Sequence, residues 1–407
     1  MLPILSRLIL PPTILVAGLF LYRVIAVQPL PDDLVPKKNT PWVVKPEHNE
    51  PRVATDEQLK QVLQRMLPTA EPVNTNTFVH ALRLWGADAV FADPKVLSGA
   101  QLRDYFLDDR VFQERAGTAA PPVFIAGDDG IRARDFDENF QQRFTSSYHN
   151  DDLLATFAET GLPLDTPLVM RDRETTVGQL LTDSMRRFHP ARHEFEWSVI
   201  SYLRYLYPHK EWRNKFGDKL DIGKLTQMCS GRFGVGPCKG QHRFEALVLL
   251  IRIDDQAKAL SPRTRQAILT YLKTAADKLV AAQAADGSWS ARWIEGEAAK
   301  ASADESNTDK KIPLHEKLLV TGHTLEWLAL APEEVQPPRE TIVRAGQWLC
   351  NTIIGIDEKD LQNSYGPYSH AARALCLWRG KEAFPMWQEI GAEIKDVAEE
   401  SKAEVKP

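Results

Sequence analysis

Four histidines stand at the head of four similar segments. His193 opens H-E-F-E-W-S-V-I, His242 opens H-R-F-E-A-L-V-L, His323 opens H-T-L-E-W-L-A-L and His370 opens H-A-A-R-A-L-C-L. Each has a charged residue three places after the histidine and then an almost wholly apolar run. A neutral imidazole is both a general base and a metal ligand. Glu245 and Glu326 lie one helical turn beyond His242 and His323, on the same face, where a carboxylate can orient the ring or complete an acid–base pair. These four are the candidate catalytic groups. Cys238, four residues before His242, adds a thiolate, so Cys238, His242 and His323 form a zinc-type donor set. A structural reading stands beside both: a histidine opening a helix can cap it, a glutamate three residues on is the usual capping-box partner, and Cys238 may be read as a plain buried thiol.

The connections entering these segments supply the candidate ligand contacts. Gly231–Gly240, G-R-F-G-V-G-P-C-K-G, offers Arg232 and Lys239 to an anion, although it fits no phosphate-loop pattern. Tyr365-Gly366-Pro367-Tyr368 is a turn with two aromatic rings suited to stacking a sugar or an apolar ligand, or simply a helix-entry turn. His193 and His370 complete the ligand-binding set. Glu295–Lys311 is polar and long enough for a lid or a disordered insertion.

Positioning these groups requires helices. Hydrophobic spacing and capping signals predict helices over Thr55–Leu67, Ser98–Leu107, Thr176–Phe188, Glu194–Leu206, Arg243–Ile251, Pro262–Ala284, Thr324–Leu330, Arg339–Ile353 and His370–Trp378. The only strand-like stretch is Pro122–Ala126, before a turn at Asp128-Asp129-Gly130. Weaker copies of the histidine segment start at His80 and His149, giving successive spacings of 44, 49, 81 and 47 residues from His149 onward. A period in the mid-forties suits one helical hairpin per repeat. Alternation of buried with amphipathic helices predicts an all-α fold, an α/α toroid, with an open solenoid as the alternative. In a toroid the four histidines share one rim, where helix N-termini keep the rings neutral.

Gln283-Ala284-Ala285-Asp286-Gly287-Ser288-Trp289 resembles the Q-x-x-D-G-x-W element of terpene cyclases and protein prenyltransferases, which are built from α/α-barrel repeats. The resemblance implies a fold, because the element is structural in those families. Their catalytic motifs are missing: neither a protonating D-x-D-D nor D-D-x-x-D occurs, and Asp135-Phe136-Asp137-Glu138 is the nearest run. Protein prenyltransferases and lanthionine synthetase cyclases hold zinc with cysteine and histidine in the toroid mouth, and Cys238 and His242 resemble that set in residue type alone.

Residues 8–22, extended to Val27, are apolar and long enough to span a bilayer, with Arg7 and Arg23 near the ends. This predicts a membrane anchor over residues 1–27, a cleaved signal peptide being the alternative. Six prolines between residues 28 and 54 predict an extended stalk, or else a strap bound to the domain. The further divisions are a helical region at 55–175, toroid repeats at 176–380 and a charged tail at 381–407. In a chain of 407 residues, 50 Lys+Arg against 55 Asp+Glu leave no basic excess for nucleic acid. Four cysteines with no C-x-x-C pair exclude a disulfide-stapled scaffold. The expectation is a single-pass membrane protein whose domain, on the exoplasmic side, binds or modifies a small molecule or envelope component such as a glycan or isoprenoid-type lipid. The rival is a non-catalytic scaffold with structural histidines.

Overall fold

The computed structural model describes residues 37–127, 130–134, 149–192, 194–208, 211–299 and 312–391. Helices dominate: α1 (Asp56–Arg65), α2 (Thr75–Trp85), α3 (Gly99–Leu107), α4 (Asp109–Ala116), α5 (Asp152–Glu159), α6 (Val177–Arg187), α7 (Glu196–Leu206), α8 (Ile222–Cys229), α9 (Gln241–Ala257), α10 (Pro262–Ala282), α11 (Leu314–Leu330), α12 (Arg339–Gly355), α13 (Glu358–Asn363) and α14 (Tyr365–Trp378). The strands form three small antiparallel hairpins, β1 (Phe124–Gly127) with β2 (Gly130–Ala133), β3 (Pro167–Val169) with β4 (Glu174–Thr176), and β5 (Trp212–Arg213) with β6 (Lys219–Leu220). The sequence anticipated the first; the other two are too short for an alternation signal.

Two kinds of helix alternate along the chain. Every residue of α7 is buried, and α14 is buried at all positions but Pro367. By contrast α10 buries one stripe, Ile268, Leu272, Ala275, Ala276 and Leu279, as an amphipathic helix must. The buried helices pack in a closed order: α2 against α5, α5 against α7, α7 against α9, α9 against α11, α11 against α14, and α14 back against α2. The half-buried α1, α3, α6, α8, α10 and α12 lie outside them. Two of these helices, α2 and α5, come from residues 55–175. Caps define the outer helices locally: Thr55 and Ser98 form capping boxes, and Ser261 caps α10 just before Pro262.

Residues 37–54 are a strap. Its backbone or side chains meet, in order, Leu164 and Tyr205 through Asn39 and Lys38, Arg204 through Trp42, Arg252 through Lys45, Ala331 through His48 and Trp378 through Glu50. The Tyr205, Arg204, Ala331 and Trp378 carbonyls, at or just past the C-terminal ends of α7, α11 and α14, accept from the strap where carbonyls lack intrahelical donors, whereas the Leu164 N–H and the Arg252 side chain donate to the Asn39 and Lys45 carbonyls. A free-standing stalk over residues 28–54 is thus corrected for its described part: the proline-restricted chain is spent on capping helix ends. The single-pass membrane placement is corrected as well, because among the described residues no helix is long and apolar enough to cross a membrane. The stretch on which that expectation rested, residues 1–27, lies outside the described residues, as do residues 300–311 of the expected lid and residues 392–407 of the tail.

The Gln283–Trp289 segment ties three helices together. Gln283 Nε2 donates to the Gly287 and Thr341 carbonyls at 2.9 and 2.8 Å. Trp289 Nε1 donates to the Leu279 carbonyl at 2.8 Å, and its backbone N–H to Thr321 Oγ1 at 2.9 Å. Gly287, at φ +96°, lies where a Cβ would come within 2.5 Å of the Arg344 carbonyl oxygen.

Candidate functional site

Histidines from several of the buried helices meet one another. The His242 and His323 ring centroids are 4.6 Å apart, those of His323 and His370 3.9 Å, and those of His242 and His370 6.3 Å. His80, on α2, packs edge-on against His370 at 5.3 Å. His149, just before α5, lies 6.5 Å from His242. His193 lies outside the described residues.

None of the described histidines of the four strong segments caps a helix. His242 is the second residue of α9, while His323 and His370 lie well inside α11 and α14, which begin at Leu314 and Tyr365. The expected helix starts at Thr324 and His370 were late because the preceding turns carry polar and glycine residues that the ring nevertheless buries or half-buries. Helix-terminal charge therefore acts only on His242, and the ring protonation states have other causes.

Each histidine of this group spends Nδ1 on a carboxylate. His242 Nδ1 is 3.1 Å from Glu245 Oε2, and His323 Nδ1 is 3.1 Å from Glu326 Oε2. Glu326 Oε2 also meets His370 Nδ1 at 2.8 Å, and its Oε1 accepts from Arg373 at 2.8 Å. An ionised Glu326 accepts Nδ1–H from both His323 and His370 and so orients the two rings. The Nε2 atoms of His242 and His323 are buried and have no hydrogen-bond partner. Cys238 Sγ and one ring nitrogen from each of His242 and His323 all lie within 4.8 Å of one another. His323, Glu326 and His370 are equally close, but there the carboxylate already takes both Nδ1 protons, as outer-shell groups do.

Cys238 reaches the histidines from a 3-10 turn, Pro237–Gly240, held in an uncommon conformation. Cys238 and Lys239 have φ +49° and +60°, and Gly234, Gly236 and Gly240 are also left-handed. Gly236 is required: at φ +113°, a Cβ there would lie 2.5 Å from Glu196 Oε1. Glu196 in turn accepts from Arg243 Nε at 2.7 Å, anchoring the loop to α7 and α9. Positive φ at non-glycine residues costs on the order of 1–3 kcal/mol each and collects at functional sites. Asp151 and Glu194, flanking the same mouth, share it at φ +59° and +56°.

Burial and neighbouring charge set the protonation states. Burial, reinforced by the other histidines, holds His242 far below the usual imidazole range, so it is neutral. His370 is also pushed down by burial, against the pull of Glu326. His323 departs from the neutral-ring expectation. Burial alone would lower it, but Cys238 and Glu326 raise it to about 10. Burial would raise Glu326, yet His370, His323 and Arg373 hold it far below the usual carboxylate range. Glu245 is pushed up to about 8 by burial and by the Glu159 and Glu326 charges.

Beneath lies a layer of buried ions. Arg83 donates to Asp152 at 2.7 Å, Glu159 at 2.6 Å and Thr156 at 2.7 Å, and covers the Trp197 ring at 4.3 Å. Trp197 packs against His242 with ring centroids 4.0 Å apart. Sequence reasoning did not select Arg83, Asp152, Glu159, Trp197, Arg373 or the His149–Glu194 pair. Part of the signal was available: Arg83, Asp152 and Arg373 are the third residues after His80, His149 and His370, the position held by Glu245 and Glu326 in theirs.

The expected stacking platform is corrected. Tyr365 and Tyr368 belong to the first turn of α14 and are buried, with Tyr365 Oη donating to the Met66 carbonyl at 2.8 Å. They pack the helix because the ring leaves no open turn there. Arg232 and Lys239 are exposed on the loop that carries Cys238. No family model, curated protein or solved structure matches this chain.

Proposed function

We propose that this chain is a metal-dependent enzyme on an α/α toroid, with a zinc-class ion held by Cys238 Sγ, His242 Nε2 and His323 Nε2. The closed packing order of six inner helices, with outer helices between them, supports the toroid. One observation carries the metal: two buried imidazoles present unpartnered Nε2 atoms beside a single thiol, while their Nδ1 atoms are tied to Glu245 and Glu326. Two imidazoles on one tetrahedral zinc have ring centroids about 5 Å apart, given Zn–N bonds of about 2.0–2.1 Å; the 4.6 Å between His242 and His323 fits. Three protein ligands leave one position for substrate or solvent, the pattern of a catalytic rather than a structural site. Such an ion supplies Lewis acidity and activates a nucleophile. The chain's own groups hold the donors: Glu326 orients His323, Glu245 orients His242, and the Gly236 turn aims Cys238. The substrate is a small molecule entering at the histidine end; the Gln283–Trp289 resemblance favours a glycan or isoprenoid-type ligand. A plain scaffold with capping histidines is disfavoured, since neither His242 nor His323 caps a helix backbone.

A second reading has its own support. Cys238 and Glu326 stand on either side of His323 and raise it, the order of a cysteine nucleophile, its base and an orienting carboxylate. This reading leaves the unpartnered His242 Nε2 without a role, so the metal reading is preferred. Elemental analysis and melting curves of the full chain, of His242→Asn and of His323→Asn, with and without zinc, separate the two. The metal reading expects one zinc per wild-type chain and a zinc-dependent rise in Tm that both variants lose. Retention of metal by His242→Asn, or no zinc effect on the wild type, refutes it. Iodoacetamide labelling of Cys238 that is lost in His323→Asn and unaffected by zinc would favour the nucleophile.

A further inference from the structure

His48, in the strap, is buried where the chain crosses the ends of α11 and α14. Its side chain is 8% exposed, and its ring stacks on Trp378 with centroids 5.1 Å apart at 16°. Nε2 lies 3.0 Å from the Ala331 carbonyl and 3.0 Å from Gln336 Nε2. The Gln336 amide has two hydrogens, and it donates to the Leu328 and Ala331 carbonyls at 2.6 and 2.9 Å. Neither hydrogen is left for the imidazole, so His48 Nε2 carries its own and donates it to Ala331. Nδ1 is then the bare nitrogen, and it accepts from Arg339 Nη2 at 3.3 Å.

This arrangement suits a neutral ring. A proton added at Nδ1 would replace an accepted hydrogen bond by two N–H groups pointing at each other. Arg339 also lies over the Trp378 ring at 5.3 Å, so an imidazolium would be a second cation on the same indole. The charged groups facing His48 are Glu47 from the strap, Glu333 from the 3-10 turn after α11 and Arg339 from α12, while α14 presents the uncharged Trp378 ring. Glu333 is 3.7 Å from Nδ1, but it is 73% exposed and already accepts from Arg339 at 2.7 Å. Glu47 is likewise engaged, accepting from Arg252 at 2.6 Å. Burial above all, and Arg339 with it, holds the ring below the usual imidazole value against the Ala331 carbonyl and these two carboxylates.

We infer that His48 is an acid-sensitive latch: protonation at Nδ1 frees residues 45–50 of the strap from the ends of α11 and α14 while the ring of helices stays folded. The inference stands apart from the metal reading. Beside His48 the segment is held by Arg252, which donates to Lys45 and Glu47, and by the Glu50 N–H, which donates to the Trp378 carbonyl at 2.8 Å. The sign follows from the direction of the shift. A released imidazole takes up a proton more readily than the packed one, so the latch holds fully above the ordinary value of 6.5 and weakens as the pH falls below it.

Hydrogen–deuterium exchange of the full chain, read by mass spectrometry at about pH 7.5 and about pH 5.5 and corrected for the intrinsic rate, tests this. At the lower pH the wild type should lose at least about threefold in protection at residues 45–50, with α7 and α10 unchanged. In His48→Gln the amide nitrogen takes the place of Nε2 and does not titrate, so protection should be equal at both pH values. Arg339→Gln should show a smaller loss than wild type, because the charged ring is then less disfavoured. No loss in wild type, an equal loss in His48→Gln, or a loss shared by α7 and α10 overturns the latch. Should His48→Gln leave the strap unprotected at both pH values, Arg339→Gln decides: a loss smaller than that of wild type supports the latch, and one as large or larger overturns it.

Discussion

Glu326→Gln is the most informative single change, because one carboxylate serves three buried partners. It accepts from His323 at 3.1 Å, from His370 at 2.8 Å and from Arg373 at 2.8 Å, and its side chain is 4% exposed. The amide retains the volume and loses the charge, leaving Arg373 buried with its closest anion removed. Removing one partner of a buried pair costs about 3–5 kcal/mol. Unfolding entropy of about 2.1 cal/mol/K per residue gives about 0.85 kcal/mol per degree for a chain of 407 residues. The metal-free variant should therefore melt about 4–6 °C below wild type at pH 7, by calorimetry. The pH dependence has a definite sign. The folded-state value of Glu326 lies far below 4.5, so its contribution is complete above the unfolded value and disappears as pH falls through the folded one. The difference in Tm should accordingly be constant from pH 7 to about pH 5 and shrink in stronger acid. Zinc affinity should fall about 10–100-fold, the usual loss for an outer-shell carboxylate. Equal melting at pH 7, or a difference that grows in acid, would refute the reasoning.

Gly287→Ala should lower Tm by several degrees without changing zinc binding, since its Cβ would strike the carbonyl of Arg344 on α12, a helix that bears none of the donor residues. Gly236→Ala should do the reverse, weakening zinc binding at least tenfold in a competition titration, because its Cβ would displace Glu196 and the turn bearing Cys238. Deleting residues 1–50 should cost several kcal/mol in chemical denaturation, because the strap's bonds to Arg204, Tyr205, Arg252, Ala331 and Trp378 go with it. A truncated chain as stable as the full one would show that the strap only rests on the ring.

The helical class was legible because its signals are local. Capping boxes at Thr55 and Ser98, Pro262 after Ser261, and the single buried stripe of α10 depend on neighbours within a few residues. The three-residue steps from His242 to Glu245 and His323 to Glu326 likewise place groups on one face of one helix, as found, whereas Cys238 precedes its helix on the Pro237–Gly240 turn. Helices α2, α5 and α8 were not legible. Their runs are short, and Arg83 and Asp152 look like surface charges until the ring pairs them with each other.

Sequence by itself determined which residue types recur at one register, with histidine first and a charge three places on. It could not determine that Arg83 of one repeat answers Asp152 of the next, or that Glu326 answers Arg373. Those pairings exist only when six helices close on one another, and burial then turns ordinary surface charges into obligatory partners. Closure also sets the direction in which each ring is shifted: burial among other imidazoles lowers His242, while Cys238 and Glu326 raise His323. The strap shows the same division. Its prolines specified an extended chain, but only the helices beneath it decided where the chain would lie, through the Arg204, Tyr205, Ala331 and Trp378 carbonyls that accept from it and the Leu164 N–H and Arg252 side chain that donate to it.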